Sequence, residues 1–177
     1  DEETFVRELL LEQPEAPVYF AEMKRVNKVG PAIIKDKPIE VIREAEPLKS
    51  LMDEDNVLIL DTRDSTVAQQ NLVEGSINIP INNHFANWAG WVVKYDERLV
   101  VIADEANHEE VTTALQSIGF DDIEAFVDPS LVTEVANVAY ETISLDDFIS
   151  GMKKEDTYVI DVRNITEWNA GHFEEAN

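Results

Sequence analysis

The sequence contains no cysteine among its 177 residues. Disulfide bonds, thiolate metal sites and a cysteine nucleophile are therefore excluded for this chain. Glycine is also scarce, because only six glycines occur and no two are adjacent. A glycine-rich loop of the kind that cradles nucleotide phosphates is therefore not indicated.

Basic residues are few. The chain has 14 lysines and arginines against 37 aspartates and glutamates, which gives a formal net charge of −23. This charge repels phosphate backbones and anionic membrane surfaces, so neither nucleic acid nor a membrane is an expected partner. A well-solvated acidic surface is the simplest interpretation of the charge.

Long apolar runs and targeting signals are lacking as well. No run approaches the roughly 20 residues that span a bilayer, and the amino terminus has no basic segment typical of a secretory signal. The absence of disulfides is typical of proteins in the reducing cytoplasm, so we expect a cytoplasmic protein. The hydrophobic content of 44% is sufficient for a folded core.

Short apolar runs alternate with helical patterns along the middle of the chain. Val57–Leu60 and Leu99–Ala103 are continuous apolar runs, which are typical of strands buried on both faces. A helix with an apolar face follows over 109–118, and Gly119 ends it. The pattern predicts an α/β fold with a parallel sheet covered by helices on both faces. An aromatic series at three-residue spacing, Phe85, Trp88 and Trp91, is expected to contribute to the core.

Ligands of such sheets bind beyond the carboxyl ends of the strands. The loop between the most apolar strand and its helix is therefore the candidate site. It consists of Asp104, Glu105, Ala106, Asn107, His108 and Glu109.

One motif occurs twice. An apolar run ends in Asp61-x-Arg63 and again in Asp161-x-Arg163, and the offset is 161 − 61 = 100 residues. This period is too long for a solenoid and fits one small domain per copy. We expect a helical segment at 1–37, a complete domain at 38–140 and the start of a second domain at 141–177.

The order of these motifs resembles a rhodanese domain. The likeness rests on Asp61-x-Arg63, the segment Glu74–Pro80, the strand–loop–helix of 100–118 and the Gly119-Phe120 pair. The second copy, from Val159 through Trp168-x-x-Gly171-His172-Phe173, resembles the start of another rhodanese domain.

The first segment is similar to the last helices of metallo-β-lactamase-fold persulfide dioxygenases. This likeness rests on Phe5–Arg7, Gln13-Pro14, Tyr19-Phe20, Met23-Lys24 and Asn27-x-x-Gly30-Pro31. The two resemblances imply a piece of a longer bacterial protein, in which an iron-binding dioxygenase precedes tandem rhodanese domains. Such proteins oxidise persulfides and transfer sulfane sulfur. The iron-binding stretch would precede Asp1, so no cofactor is expected in this chain.

The resemblance also exposes a departure. A working rhodanese carries a cysteine at the start of the loop and an arginine at its end, and this sequence has Asp104 and Glu109 there, with Glu105 between them. A carboxylate cannot carry a persulfide sulfur, and three acids repel an anionic donor. We therefore expect no catalytic residue and a scaffold or docking role. Two alternatives stay open, namely binding of a small cation or polar ligand by these acids, and binding of a partner protein.

The remaining polar candidates favour structural roles. His84, His108 and His172 lack metal-ligand spacing, so no metal site is expected, and His108 is interpreted as a surface loop histidine. The pairs Asp61–Arg63 and Asp161–Arg163 are expected to be ion pairs that fix neighbouring loops. Flanking domains are the expected partners. The strand at 158–162 is expected to pair with another chain, which would give a homo-oligomer, or to be poorly ordered.

Overall fold

The computed structural model describes residues 1–11, 16–33 and 38–177, and it divides the chain into two compact units, Asp1–Ala139 and Tyr140–Asn177. The strands are β1 (Glu40–Ile42), β2 (Val57–Asp61), β3 (Ile77–Asn78), β4 (Arg98–Ile102) and β5 (Ile123–Val127). The helices are α1 (Glu2–Leu10), α2 (Val18–Val29), α3 (Ala45–Met52), α4 (Ser65–Ala68), α5 (Phe85–Val92), α6 (His108–Ser117), α7 (Val132–Val135), α8 (Leu145–Gly151) and α9 (Ile165–Ala170). Short 3-10 turns lie at Glu105–Asn107 and Pro129–Leu131.

The first unit contains a five-stranded sheet in the order β1-β5-β4-β2-β3, and all pairs are parallel. The predicted α/β fold with a parallel sheet is confirmed. The most apolar strand, β4, lies in the centre, where Leu60 is opposite Val101 and Val101 is opposite Phe126. A parallel arrangement brings the carboxyl ends of β1, β2, β4 and β5 to one edge of the sheet.

Alternate side chains of β4 enter two separate cores. Leu99 and Val101 pack with α5 and α6 on one face, whereas Val100 and Ile102 pack with α3 and α7 on the other. All four side chains are fully buried. The continuous apolar run in the sequence therefore reflects burial on both faces of the sheet.

Helix α2, which belongs to the first unit, packs against α5 through one half-buried face. Tyr19 lies against Gly90 of α5, so closely that a Cβ atom at position 90 would be 2.4 Å from Cδ1 of the Tyr19 ring. Glu22 approaches Gly119, and Tyr95 donates a hydrogen bond to the carbonyl oxygen of Ile118 near the same place. Burial also raises the pKa of Tyr95 to about 12. The helix is thus seated on the sheet domain by two of its side chains, Tyr19 and Glu22, which lie against glycines.

The aromatic series of α5 is only partly in the core, which corrects the expectation for Trp88. Phe85 is buried, but the side chain of Trp88 is 58% exposed. The reason is geometric, because each three-residue step along a helix turns the side chain by about 300° rather than a full circle. Residues at this spacing drift away from the buried face.

The second unit contains α8 and α9 and one isolated parallel bridge, between Val159 and Ala176. The hydroxyl of Ser144 caps α8 by accepting a hydrogen bond from the amide of Asp147, as its position predicts. Tyr158, Ile160 and Val162 are exposed. Pairing of this segment with another chain stays a prediction.

No helix within the described part of the chain is long and apolar enough to cross a membrane.

Candidate functional site

The loop after β4 forms a closed turn. The strand ends at Ile102, Ala103 is buried, and Asp104 leads into the 3-10 turn, which continues directly into α6. The amide of Asn107 donates to the carbonyl oxygen of Asp104 at 2.8 Å, and the amide of His108 donates to that of Glu105. These two amides are used within the turn and are not available to an anion.

The acids of the loop do not converge on one point. Asp104, Glu105 and Glu109 are all exposed, and Glu105 pairs with Arg43 at 3.0 Å between Nη2 and Oε2. Within residues 1–11, 16–33 and 38–177, no three His, Asp or Glu side chains come together as metal ligands. The iron implied by the family resemblance would be held by residues before Asp1, and binding of a small cation by the loop acids stays a prediction.

Arg43 is a residue that the sequence interpretation missed. It follows β1 immediately and reaches the loop from across the sheet edge, 62 residues away in sequence. Hydrogen bonds from the hydroxyl and the amide of Ser130 lower the pKa of Asp128, and the charge of Arg43 adds a smaller effect in the same direction. The position of Arg43 in the sequence could have indicated its contact with the loop, because this residue directly follows β1 and parallel strands end at the same edge of the sheet.

His108 is not a surface loop histidine, which corrects that interpretation. It is the first residue of α6, and its ring stacks on Phe126 with centroids 3.8 Å apart and planes 6° apart. Its Nε2 lies 3.2 Å from the carbonyl oxygen of Ala103. The ring is half-buried because the apolar face of Phe126 covers it, so His108 anchors the start of α6 to the sheet.

Asp61 and Arg63 form a buried, bidentate ion pair at the end of β2. Nη2 of Arg63 donates to Oδ2 of Asp61 at 2.6 Å, and Nε donates to Oδ1 at 3.0 Å. The exposed fractions of the two side chains are 0% for Asp61 and 8% for Arg63. Arg63 also donates to the side chain and the carbonyl oxygen of Asn71. The pair thus joins the strand end to the loop that follows α4.

The second unit repeats this geometry at an offset of 100 residues. Arg163 donates to Asp161 at 2.6 Å and to the carbonyl oxygen of Gly171 at 2.8 Å, where Arg63 uses that of Asn71. Hydrogen bonding from Arg163 lowers the pKa of Asp161 to about 2. The side chains are more exposed here, at 11% for Asp161 and 43% for Arg163. The two copies therefore share the bonds between Arg and Asp and the bond to a carbonyl oxygen, whereas the bond to the Asn71 side chain and the deep burial belong to the first copy.

Comparison with known proteins assigns the class of the central region. Residues 44–130 match the rhodanese-like domain family. This region contains α3 through β5, including the closed loop after β4. The chain therefore contains a rhodanese-like domain.

Solved structures extend the comparison. The metallo-β-lactamase of Staphylococcus aureus subsp. aureus COL is 30% identical, and the alignment covers 72% of this chain and 35% of that chain with a TM-score of 0.57. The Alr3790 protein of Anabaena is 19% identical over 55% of this chain and 92% of that chain, with a TM-score of 0.47. This chain thus spans about a third of the length of the staphylococcal protein. No curated protein matches the chain.

Proposed function

We propose that the rhodanese-like domain is a non-catalytic module of a sulfide- or persulfide-oxidising fusion enzyme, and that it serves as a scaffold or docking surface. The parent protein would combine an iron-binding dioxygenase part of metallo-β-lactamase fold with rhodanese-like domains in the cytoplasm. The flanking domains of that protein would be its partners.

The loop after β4 carries this proposal. Sulfur transfer of the rhodanese type needs a thiolate nucleophile and donors that stabilise a persulfide. Here the loop offers exposed carboxylates, and two of its amides bond to carbonyls within their own turn. The staphylococcal likeness supports the parent assignment, because that protein is a metallo-β-lactamase to which this chain is 30% identical.

The first test is an assay of sulfur transfer from thiosulfate to cyanide by the purified chain. We expect the background rate, since there is no thiol in the sequence to accept the sulfane sulfur. An active rhodanese in the same buffer is the control. Turnover well above the uncatalysed rate would refute the non-catalytic assignment.

A single-cysteine variant tests the electrostatics of the loop. Because the chain lacks cysteine, Asp104→Cys introduces a unique thiol whose alkylation by iodoacetamide can be followed against pH. We expect the pKa of this thiol to lie above that of an ordinary cysteine, because Glu109 and, to a smaller extent, Glu105 with its exposed partner Arg43 oppose ionisation of the thiol.

The matched control carries Glu105→Gln and Glu109→Gln in the Asp104→Cys background. Neutralising the two acids should raise the alkylation rate at neutral pH roughly three- to tenfold, as a pKa shift of up to about one unit implies. Equal rates in the two proteins would show that the acids do not set the chemistry of the loop.

A further inference from the structure

A groove of about 650 Å³ runs along α6. It lies near the edge of the sheet that β1 forms. One wall is α6, and the other is formed by Ala32, Ile33, Pro38 and Ile39 on the approach to β1. The residues between Ile33 and Pro38 lie outside the described part of the chain. A volume in this range is typical of sites that bind a ligand or a short peptide.

The floor of the groove is apolar. Phe120, Ile123 and Phe126 lie beneath it and are buried in the core, and Ile39 continues this surface to the edge strand. Ile33, on the outer wall, has 91% of its surface exposed. An apolar segment placed in the groove would remove Ile33 and Ile39 from water, which favours association.

The rim of the groove is acidic. Glu109 lies at the end next to the β4 loop, and Asp121 and Asp122 lie at the opposite end. The remaining acid, Glu124, is bonded to Arg98 and is therefore compensated. No lysine or arginine lines the groove among the described residues. The free charges at both ends thus favour a cationic occupant.

The length of the groove follows from α6. Its ten residues extend about 15 Å, which matches four or five residues of an extended peptide. Thr112 and Gln116 line the groove between its charged ends. The side-chain amide of Gln116 can donate to and accept from a peptide backbone, and the hydroxyl of Thr112, which donates to the carbonyl oxygen of His108, can still accept.

From this combination we propose that the groove binds an extended segment of a partner protein in which apolar residues alternate with lysine or arginine. The apolar side chains would contact the floor, and the basic side chains would meet Glu109 at one end and Asp121 and Asp122 at the other. This site gives the proposed docking role a location and a partner, and it rests on that role. It does not rest on the proposed lack of sulfur-transfer activity, which the thiosulfate assay tests separately.

The test uses two end-blocked pentapeptides, one alternating lysine with leucine and one alternating lysine with serine. Binding of each to the full chain is measured by calorimetry at physiological salt. We expect the leucine peptide to bind at least about tenfold more tightly, because only its side chains match the apolar floor. Equal affinities would show mere attraction to an acidic protein and would overturn the proposal.

A matched pair of charge variants locates the site. Glu109→Lys with Asp122→Lys changes the rim, and Asp53→Lys with Asp55→Lys makes the same change in charge on the exposed turn before β2. The rim variant should bind the leucine peptide roughly five- to tenfold more weakly, while the affinity of the control variant should change less than about twofold. Equal weakening by both variants would overturn the assignment to the groove.

Lys35 and Lys37 provide the third arm, because this chain itself has basic residues next to the groove wall in sequence. Replacing both with serine should leave the affinity for the leucine peptide unchanged. A clear gain in affinity would identify the chain's own segment as the occupant and would contradict binding of a partner.

Discussion

Replacing Asp61 with alanine should be among the most destabilising single substitutions in this protein. The change leaves the guanidinium of Arg63, which is only 8% exposed, without its bidentate partner. Breaking a buried ion pair in this way costs about 3–5 kcal/mol, because the remaining charge stays buried and unpaired. The free energy of unfolding of a whole domain is only about 5–15 kcal/mol, so the first unit would lose a large part of its stability.

The second copy of the motif supplies the control. Asp161→Ala removes the same hydrogen bonds from Arg163, but the side chain of Arg163 is 43% exposed and is solvated when its partner is lost. We expect a far smaller effect on the second unit. A further variant, Asp61→Ala with Arg63→Met, should recover part of the stability, because it removes the stranded charge as well.

Urea unfolding monitored by tryptophan fluorescence can measure this effect. In a Trp168→Phe background the remaining tryptophans, Trp88 and Trp91, both belong to the first unit and report its unfolding. If Asp61→Ala lowers the free energy of unfolding by less than about 1 kcal/mol, the pair does not act as a buried ion pair, since exposed ion pairs contribute that little. Hydrogen exchange of residues 140–177 gives the corresponding reading for Asp161→Ala.

Gly90→Ala should release α2 from α5. In an open helix this substitution stabilises by about 0.5–1 kcal/mol, because alanine has the higher helix propensity. At position 90 the new methyl group would lie 2.4 Å from the ring of Tyr19, so either the ring or the whole helix must move. Overpacking of this kind costs about 1–3 kcal/mol, and we therefore expect destabilisation.

Two comparisons separate this steric effect from a change in helix propensity. Gly151→Ala introduces the same methyl group in α8, where no atom lies within 4 Å of the new Cβ, and it should not destabilise its unit. Tyr19→Ala combined with Gly90→Ala should cost less than the sum of the two single substitutions, because the colliding ring is gone. Faster hydrogen exchange in residues 18–29 of Gly90→Ala would show the release directly. Unchanged exchange there, with unchanged stability, would contradict it.

The sheet could be predicted because each strand is recognisable from a few consecutive residues. Four consecutive apolar residues at 57–60 and five at 99–103 identify strands buried on both faces, and the helical pattern between strands requires parallel pairing. The Asp61-x-Arg63 pair could also be anticipated, since residues two apart on a strand project to the same side. Its burial could not be anticipated, because the identical motif at Asp161 is more exposed.

The side-chain contacts of the loop could not be predicted in the same way. Arg43 reaches Glu105 only because β1 and β4 end at the same edge of the sheet, with β5 between them. His108 is half-buried because Phe126, eighteen residues further on, lies beneath its ring in the folded chain. Neither contact follows from the spacing of residues along the sequence.

By itself, the sequence determined the class of fold, the 100-residue repeat and the absence of a thiol, because residue type and short-range periodicity suffice for each of these. Only the tertiary structure decided that the turn after β4 is closed on itself, that Arg43 meets the loop and that an apolar groove lies beside α6. These features depend on which strands become neighbours. That order is set by packing across the whole sheet, and no local pattern encodes it.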